Sequence, residues 1–128
     1  MIYIIDSYAW IEYLIASKKG ELLKELFEDE QNIFLTLECC LAEIKGWSLR
    51  ENQNFDDVLK IIKANSEIIS ITEKNWLDAA EEKFREKKKQ KGLGLIGSII
   101  LAKQKEMVCK IISGDKHFMN MKNVLFMK

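Results

Sequence analysis

Five short apolar runs punctuate the chain: Ile2–Ile5, Ile33–Leu35, Ile68–Ile71, Val108–Ile112 and Val124–Met127. The first is continuous rather than alternating, as expected of a strand covered on both faces. Between the runs, apolar residues recur at three- and four-residue spacing, the mark of helices with one buried face. Trp10, Ile11 and Leu14 follow the first run, and Leu22, Leu23, Leu26 and Phe27 lie within Glu21–Asp29. After the second run, a helical pattern opens at Thr36 and carries Leu37, Cys40, Leu41, Ile44 and Trp47. Ser48–Asn54 is polar and reads as a loop, and Phe55, Val58, Leu59 and Ile62 mark a helix ending near Asn65. Thr72 can cap a long helix from Glu73 to about Lys91, with Trp76, Leu77, Ala80 and Phe84 inward. Leu93–Glu106 is a further helix, with Leu95, Ile96, Ile99, Ile100 and Ala102.

Strands alternating with helices along the whole length predict an α/β protein. The expected form is a three-layer α/β/α sandwich with a mainly parallel five-stranded sheet and right-handed crossovers. The 128 residues contain no proline, no internal repeat and no low-complexity stretch, so a single domain over 1–128 is expected.

Charge narrows the choice of function by exclusion. Twenty basic and twenty acidic side chains cancel, so binding to nucleic acid must come from local patches. The basic run Lys87, Lys88, Lys89 and Lys91 is either a solvated helix end complementing the helix dipole or an RNA-phosphate patch. No apolar run reaches the ~20 residues of a membrane helix, and no basic segment precedes the first run as in a signal peptide. Cys39, Cys40 and Cys109 lack metal or redox spacing and read as thiols of a reducing cytoplasm. With His117 the only histidine, a cation site must be built of carboxylates.

Two acids, Asp6 and Asp115, stand just past the ends of predicted strands. Ligands of open parallel sheets collect at that edge. Glu43, early in the helix after the second strand, can lean over the same edge. Two carboxylates ~4 Å apart repel by about 4 kcal/mol at an effective dielectric near 20. Such a cluster requires a proton or a hard cation such as Mg²⁺ or Mn²⁺. The plainer reading makes each acid a helix cap or a surface ion-pair partner. A haloacid-type phosphohydrolase is excluded because Tyr8 stands where its second acid belongs, and the receiver-domain acids are missing as well. Leu93-Gly94-Leu95-Ile96-Gly97 has the wrong spacing for a nucleotide-binding glycine loop.

Four segments, IYIIDSYAWIEYL, LAEIKGW, LGLIGSIILAKQ and IISGDKHFMNMKNVLF, together resemble a PIN domain, in particular the small VapC-like toxin ribonucleases. The resemblance implies a metal-dependent endoribonuclease, with Asp6, Glu43 and Asp115 as both catalytic and metal-holding acids. It also implies Mg²⁺ or Mn²⁺, an RNA substrate, a homodimer and an antitoxin partner whose peptide covers the site. Ser7 is the supporting hydroxyl, and Lys116, beside Asp115, can contact phosphate or be a plain surface charge. The chain departs from the pattern at Gly97, where the third acid of the family normally stands. Ser98, a water, Glu38 or Glu12 are the available substitutes. The second reading is therefore a degenerate module that binds an antitoxin, RNA or its own copy without cutting. His117 reads as an ordinary partly exposed histidine before a proton shuttle, and Trp10, Trp47 and Trp76 as core or dimer-interface residues before base-stacking ones.

Overall fold

A computed structural model of the chain describes residues 1–87 and 92–128. Lys88, Lys89 and Lys91 of the basic run, and the end of the long helix assigned to them, lie outside the described residues. The strands are β1 (Ile2–Ile5), β2 (Ile33–Leu37), β3 (Glu67–Ile69), β4 (Lys110–Ser113) and β5 (Val124–Phe126). The helices are α1 (Ser7–Leu14), α2 (Glu21–Phe27), α3 (Glu38–Arg50), α4 (Phe55–Asn65), α5 (Glu73–Glu86) and α6 (Leu95–Met107). A 3₁₀ turn, Lys116–Phe118, follows β4.

All four strand pairings are parallel, in the order β3-β2-β1-β4-β5. The chain runs outward from β1 to β3, returns through α5 and α6, and continues on the other side of β1. The order therefore reverses between β1 and β4, which opens a crevice at the C-terminal ends of those two strands.

The side chains of β1 divide between two cores. Tyr3 and Ile5 join Trp10, Leu23, Phe34, Ile44, Ile62 and Ile112 on one face. Ile4 joins Leu35, Leu37, Ile99, Ile100 and Ile111 on the other. Trp10 is fully buried, and its indole N–H donates to the Thr36 hydroxyl at 2.9 Å, which also shares a 2.7 Å hydrogen bond with Ser66. Thr36→Val is expected to strand that indole N–H and cost about 1–3 kcal/mol, read as a lowered urea midpoint with an unchanged slope.

Several boundaries differ from the sequence expectation. β2 extends through Leu37 because Thr36, although polar, satisfies its hydroxyl inside the protein. α3 extends to Arg50, and Ser48 is buried within it rather than in a loop. β3 is shorter than predicted, ending at Ile69.

The largest correction concerns α5. Its boundaries begin as predicted, with a Thr72–Asn75 capping box. The Trp76, Leu77, Phe84 side of the helix, however, faces outward. The buried side carries Asn75, Ala79 and Glu82. Asn75 accepts a hydrogen bond from Lys103 at 3.1 Å and donates to Glu106, while Glu82 accepts from Lys105 at 2.8 Å and Arg85 at 2.8 Å. The face that α6 offers α5 is thus charged, and an apolar stripe could not satisfy it. No helix among the described residues is long and apolar enough to cross a membrane.

Candidate active site

Asp6 is the first residue after β1, and its backbone N–H donates to Ile112 O at 3.2 Å, continuing the β1–β4 ladder. The register that pairs Ile5 with Ile112 sets Asp6 beside Ser113, the last residue of β4. One Asp6 oxygen caps α1 by accepting from Ala9 N at 2.8 Å. The other accepts a short hydrogen bond from the Ser113 hydroxyl. Ser113 Oγ in turn accepts from Asp115 N at 3.0 Å. One small hydroxyl thereby ties the first acid to the loop that bears the last.

Burial pushes the Asp6 carboxyl from its ordinary 3.8 up to about 7, against the lowering effect of the Ser113 and Ala9 hydrogen bonds. The negative charges of Asp115 and Glu43 push in the same direction as burial. The buried Cys40 thiol is held well above its usual range by its hydrogen bond to Cys39 and by burial, with Asp6 and Glu43 adding to the effect.

Glu43 is exposed on α3 and accepts a 2.9 Å hydrogen bond from the Ser7 hydroxyl at the start of α1. Asp115 is half-buried and caps the 3₁₀ turn, accepting from His117 N at 3.0 Å. His117 Nδ1 lies 2.8 Å from the same Asp115 oxygen, Oδ1. Lys116 is exposed beside them.

The other sequence candidates serve elsewhere. Ser98 is buried, and its hydroxyl donates back to Gly94 O at 2.9 Å within its own helix. Glu38 accepts from Ile71 N at 2.8 Å and anchors the loop before α5, while Glu12 accepts from Ser17 Oγ. Gly97 is covered by a neighbour: a Cβ there would lie 2.5 Å from Leu93 Cδ1 and 3.6 Å from Phe118 Cζ. Leu93 is buried, so a hydrocarbon side chain fills the space above Gly97.

The donors are hard oxygen atoms of the kind Mg²⁺ and Mn²⁺ prefer, and a cation would offset the mutual repulsion around Asp6. Among the described residues, however, no three acids, cysteines or histidines stand close enough together to hold one ion as they lie. Asp6 is buried with its Ser113 link, whereas Glu43 is exposed and held only by the Ser7 hydroxyl. Sequence reading missed Ser113 and Leu93. The only signal for Ser113 was a hydroxyl residue at a strand end, and nothing marked Leu93.

Comparison with solved structures finds the same architecture repeatedly. A toxin–antitoxin complex from Klebsiella pneumoniae matches with a TM-score of 0.70 and 18% identity, covering 98% of each chain. VapBC2 from Rickettsia felis, bound to a DNA fragment from its promoter, gives 0.72 and 17% over 98% of this chain and 97% of that one. VapC20 from Mycobacterium tuberculosis, a sarcin–ricin loop cleaving toxin, gives 0.74 and 12% over 91% and 92%. No family model and no curated protein matches the sequence. At these identities the likeness is one of fold: the five-stranded parallel α/β/α fold of VapC-type PIN domains.

Proposed function

We propose that this chain is a Mg²⁺- or Mn²⁺-dependent endoribonuclease of the VapC type, the toxin of a toxin–antitoxin pair. The observation that carries the reading is Asp6. It is buried at the strand-order switch point, and the charges of Glu43 and Asp115 both bear on it. The fold shared with toxin structures supports the same reading. Asp6, Glu43 and Asp115 would hold the ion. Its chemistry is Lewis acidity, which makes water a stronger nucleophile and offsets charge on a phosphodiester.

The chain's own residues do the rest. Ser113 and Ala9 N fix the orientation of Asp6, and Ser7 restrains Glu43. Lys116 is exposed beside Asp115 and can attract the RNA backbone. An antitoxin whose peptide covers the crevice, self-association as a homodimer and a cytoplasmic location belong to the same reading.

The test is cleavage of a fluorescent single-stranded RNA with Mn²⁺. The natural chain is expected to cut, and Asp6→Asn to lose activity by on the order of a hundredfold or more. Equal cleavage by both would overturn the assignment of Asp6. A second reading is favoured by Leu93 over Gly97 and by the loose spacing of the acids: a degenerate module that binds antitoxin or RNA without cutting. It predicts no cleavage by the natural chain, with RNA or antitoxin binding retained.

A further inference from the structure

Acids line the crevice, so a polyanion drawn to it needs cations close by, and a chain of zero net charge has no general field to supply them. Lys116 is one such cation. Another reaches the same loop through Tyr8, a side chain that the acid cluster does not use.

Tyr8 is the second residue of α1, two positions after Asp6. Its ring lies against buried Gly114, where a Cβ would stand 2.7 Å from Tyr8 Cδ1. The φ of Gly114 is not positive, so space and not backbone angle requires glycine there. Gly114 joins Ser113, the hydrogen-bond partner of Asp6, to Asp115. The ring therefore borders the loop that carries the last acid. The Tyr8 hydroxyl accepts a 3.2 Å hydrogen bond from Lys19 Nζ, which also lies 5.7 Å from the ring centroid.

The backbone on either side of Lys19 is tied to α1. Ser17 N and Ser17 Oγ each donate to Glu12 O at 3.1 Å, and Gly20 N donates to Ser17 Oγ at 3.1 Å. Gly20 is buried against the same helix, where a Cβ would lie 2.8 Å from Tyr13 Cα. Lys19 itself is exposed, and no carboxylate stands within ion-pair distance of it among the described residues. An acid would hold the ammonium and cancel its charge. A neutral phenol holds it and leaves the charge, with two of its three donors, for an incoming anion. We propose that Lys19 is a phosphate-binding subsite for the RNA backbone at the rim of the acidic crevice, with Tyr8 as its positioning residue. The choice of RNA as the anion rests on the ribonuclease reading of the crevice.

Binding and cleavage are measured separately. Anisotropy of a fluorescent single-stranded RNA in EDTA reports binding without chemistry, and cleavage with Mn²⁺ reports KM and kcat. Lys19→Gln is expected to weaken binding and raise KM by about fivefold to tenfold, with kcat within about twofold, and to lower the salt slope of binding by about one. Lys19→Arg keeps the charge and is expected to restore binding to within about twofold of the natural chain. Tyr8→Phe keeps the ring and is expected to weaken binding less than Lys19→Gln does, with no further loss when the two are combined. Lys18→Gln removes the same charge one residue away, without the Tyr8 contact, and is expected to change binding by less than about twofold. Unchanged binding in Lys19→Gln, equal losses from Lys18→Gln and Lys19→Gln, or no RNA bound by the natural chain at about 50 mM salt would each overturn the subsite. Additive losses from Tyr8→Phe and Lys19→Gln would overturn the role of Tyr8. A natural chain that binds RNA through Lys19 but does not cut it upholds the subsite and overturns the nuclease reading alone.

Discussion

In the metal-free protein Asp6→Asn is expected to raise stability at about pH 8 by up to about 4 kcal/mol, even though it removes the acid on which the proposed chemistry depends. The Asp6 carboxyl is raised from 3.8 to about 7 in the folded chain, so the folded state binds this proton more tightly than the unfolded state does. Its contribution is most favourable below about pH 4, is lost as pH rises towards 7, and stays lost above that. Asparagine carries no charge to desolvate. Its oxygen can still accept from Ala9 N, and its amide can donate to Ser113 Oγ, so both hydrogen bonds found at Asp6 have counterparts. Urea unfolding with EDTA at about pH 8 and about pH 4 measures the effect: a large gain at the first, little or none at the second. Equal midpoints at the higher pH would mean that the buried charge carries no cost. Adding Mn²⁺ is expected to stabilise the natural chain and not the variant, because only the natural chain offers the full charge to the ion.

The second large effect concerns Gly97, the position at which the resemblance to PIN domains would place a third acid. Gly97→Asp alone is expected to change Mn²⁺ affinity little, because its Cβ would meet Leu93 Cδ1 at 2.5 Å. Leu93→Ala removes that obstruction, and the pair Gly97→Asp, Leu93→Ala is expected to tighten Mn²⁺ binding by roughly tenfold or more. Leu93→Ala by itself is expected to cost about 2–5 kcal/mol of stability, since it empties a buried site. Calorimetric titration of the four proteins separates the possibilities. Tightening by Gly97→Asp alone would show that Leu93 swings aside freely. No tightening in the pair would show that position 97 does not face the acids, and the missing-ligand account would fail.

The edge of the sheet was readable before any coordinates because two apolar runs stop at acids, Asp6 directly and Asp115 after Ser113-Gly114. A carboxylate cannot follow its strand into a two-sided core, so it marks the strand end. The facing of α5 was not readable. Periodicity locates the stripe of Trp76, Leu77, Ala80 and Phe84, but only the charges of Lys103, Lys105 and Glu106 on another helix decide which side of α5 turns inward. Ser113 was invisible for a related reason: its role depends on the β1–β4 register, which joins residues far apart in sequence. Leu93 needed side-chain positions, since the glycine it covers looks the same in sequence whether the space above it is open or filled.

The link between Asp6 and Ser113 spans 107 positions along the chain. Loops of that length close late, and contacts of such separation slow the search for the native state. β1 precedes the other strands in sequence but lies between β2 and β4, so one of its edges stays unpaired until β4 has been synthesised. A nascent chain on the ribosome therefore carries Asp6 before Ser113, its hydrogen-bond partner, has been made. The crevice comes into being only when β4 folds in against β1, so an enzyme built this way would be inert until that strand has been made.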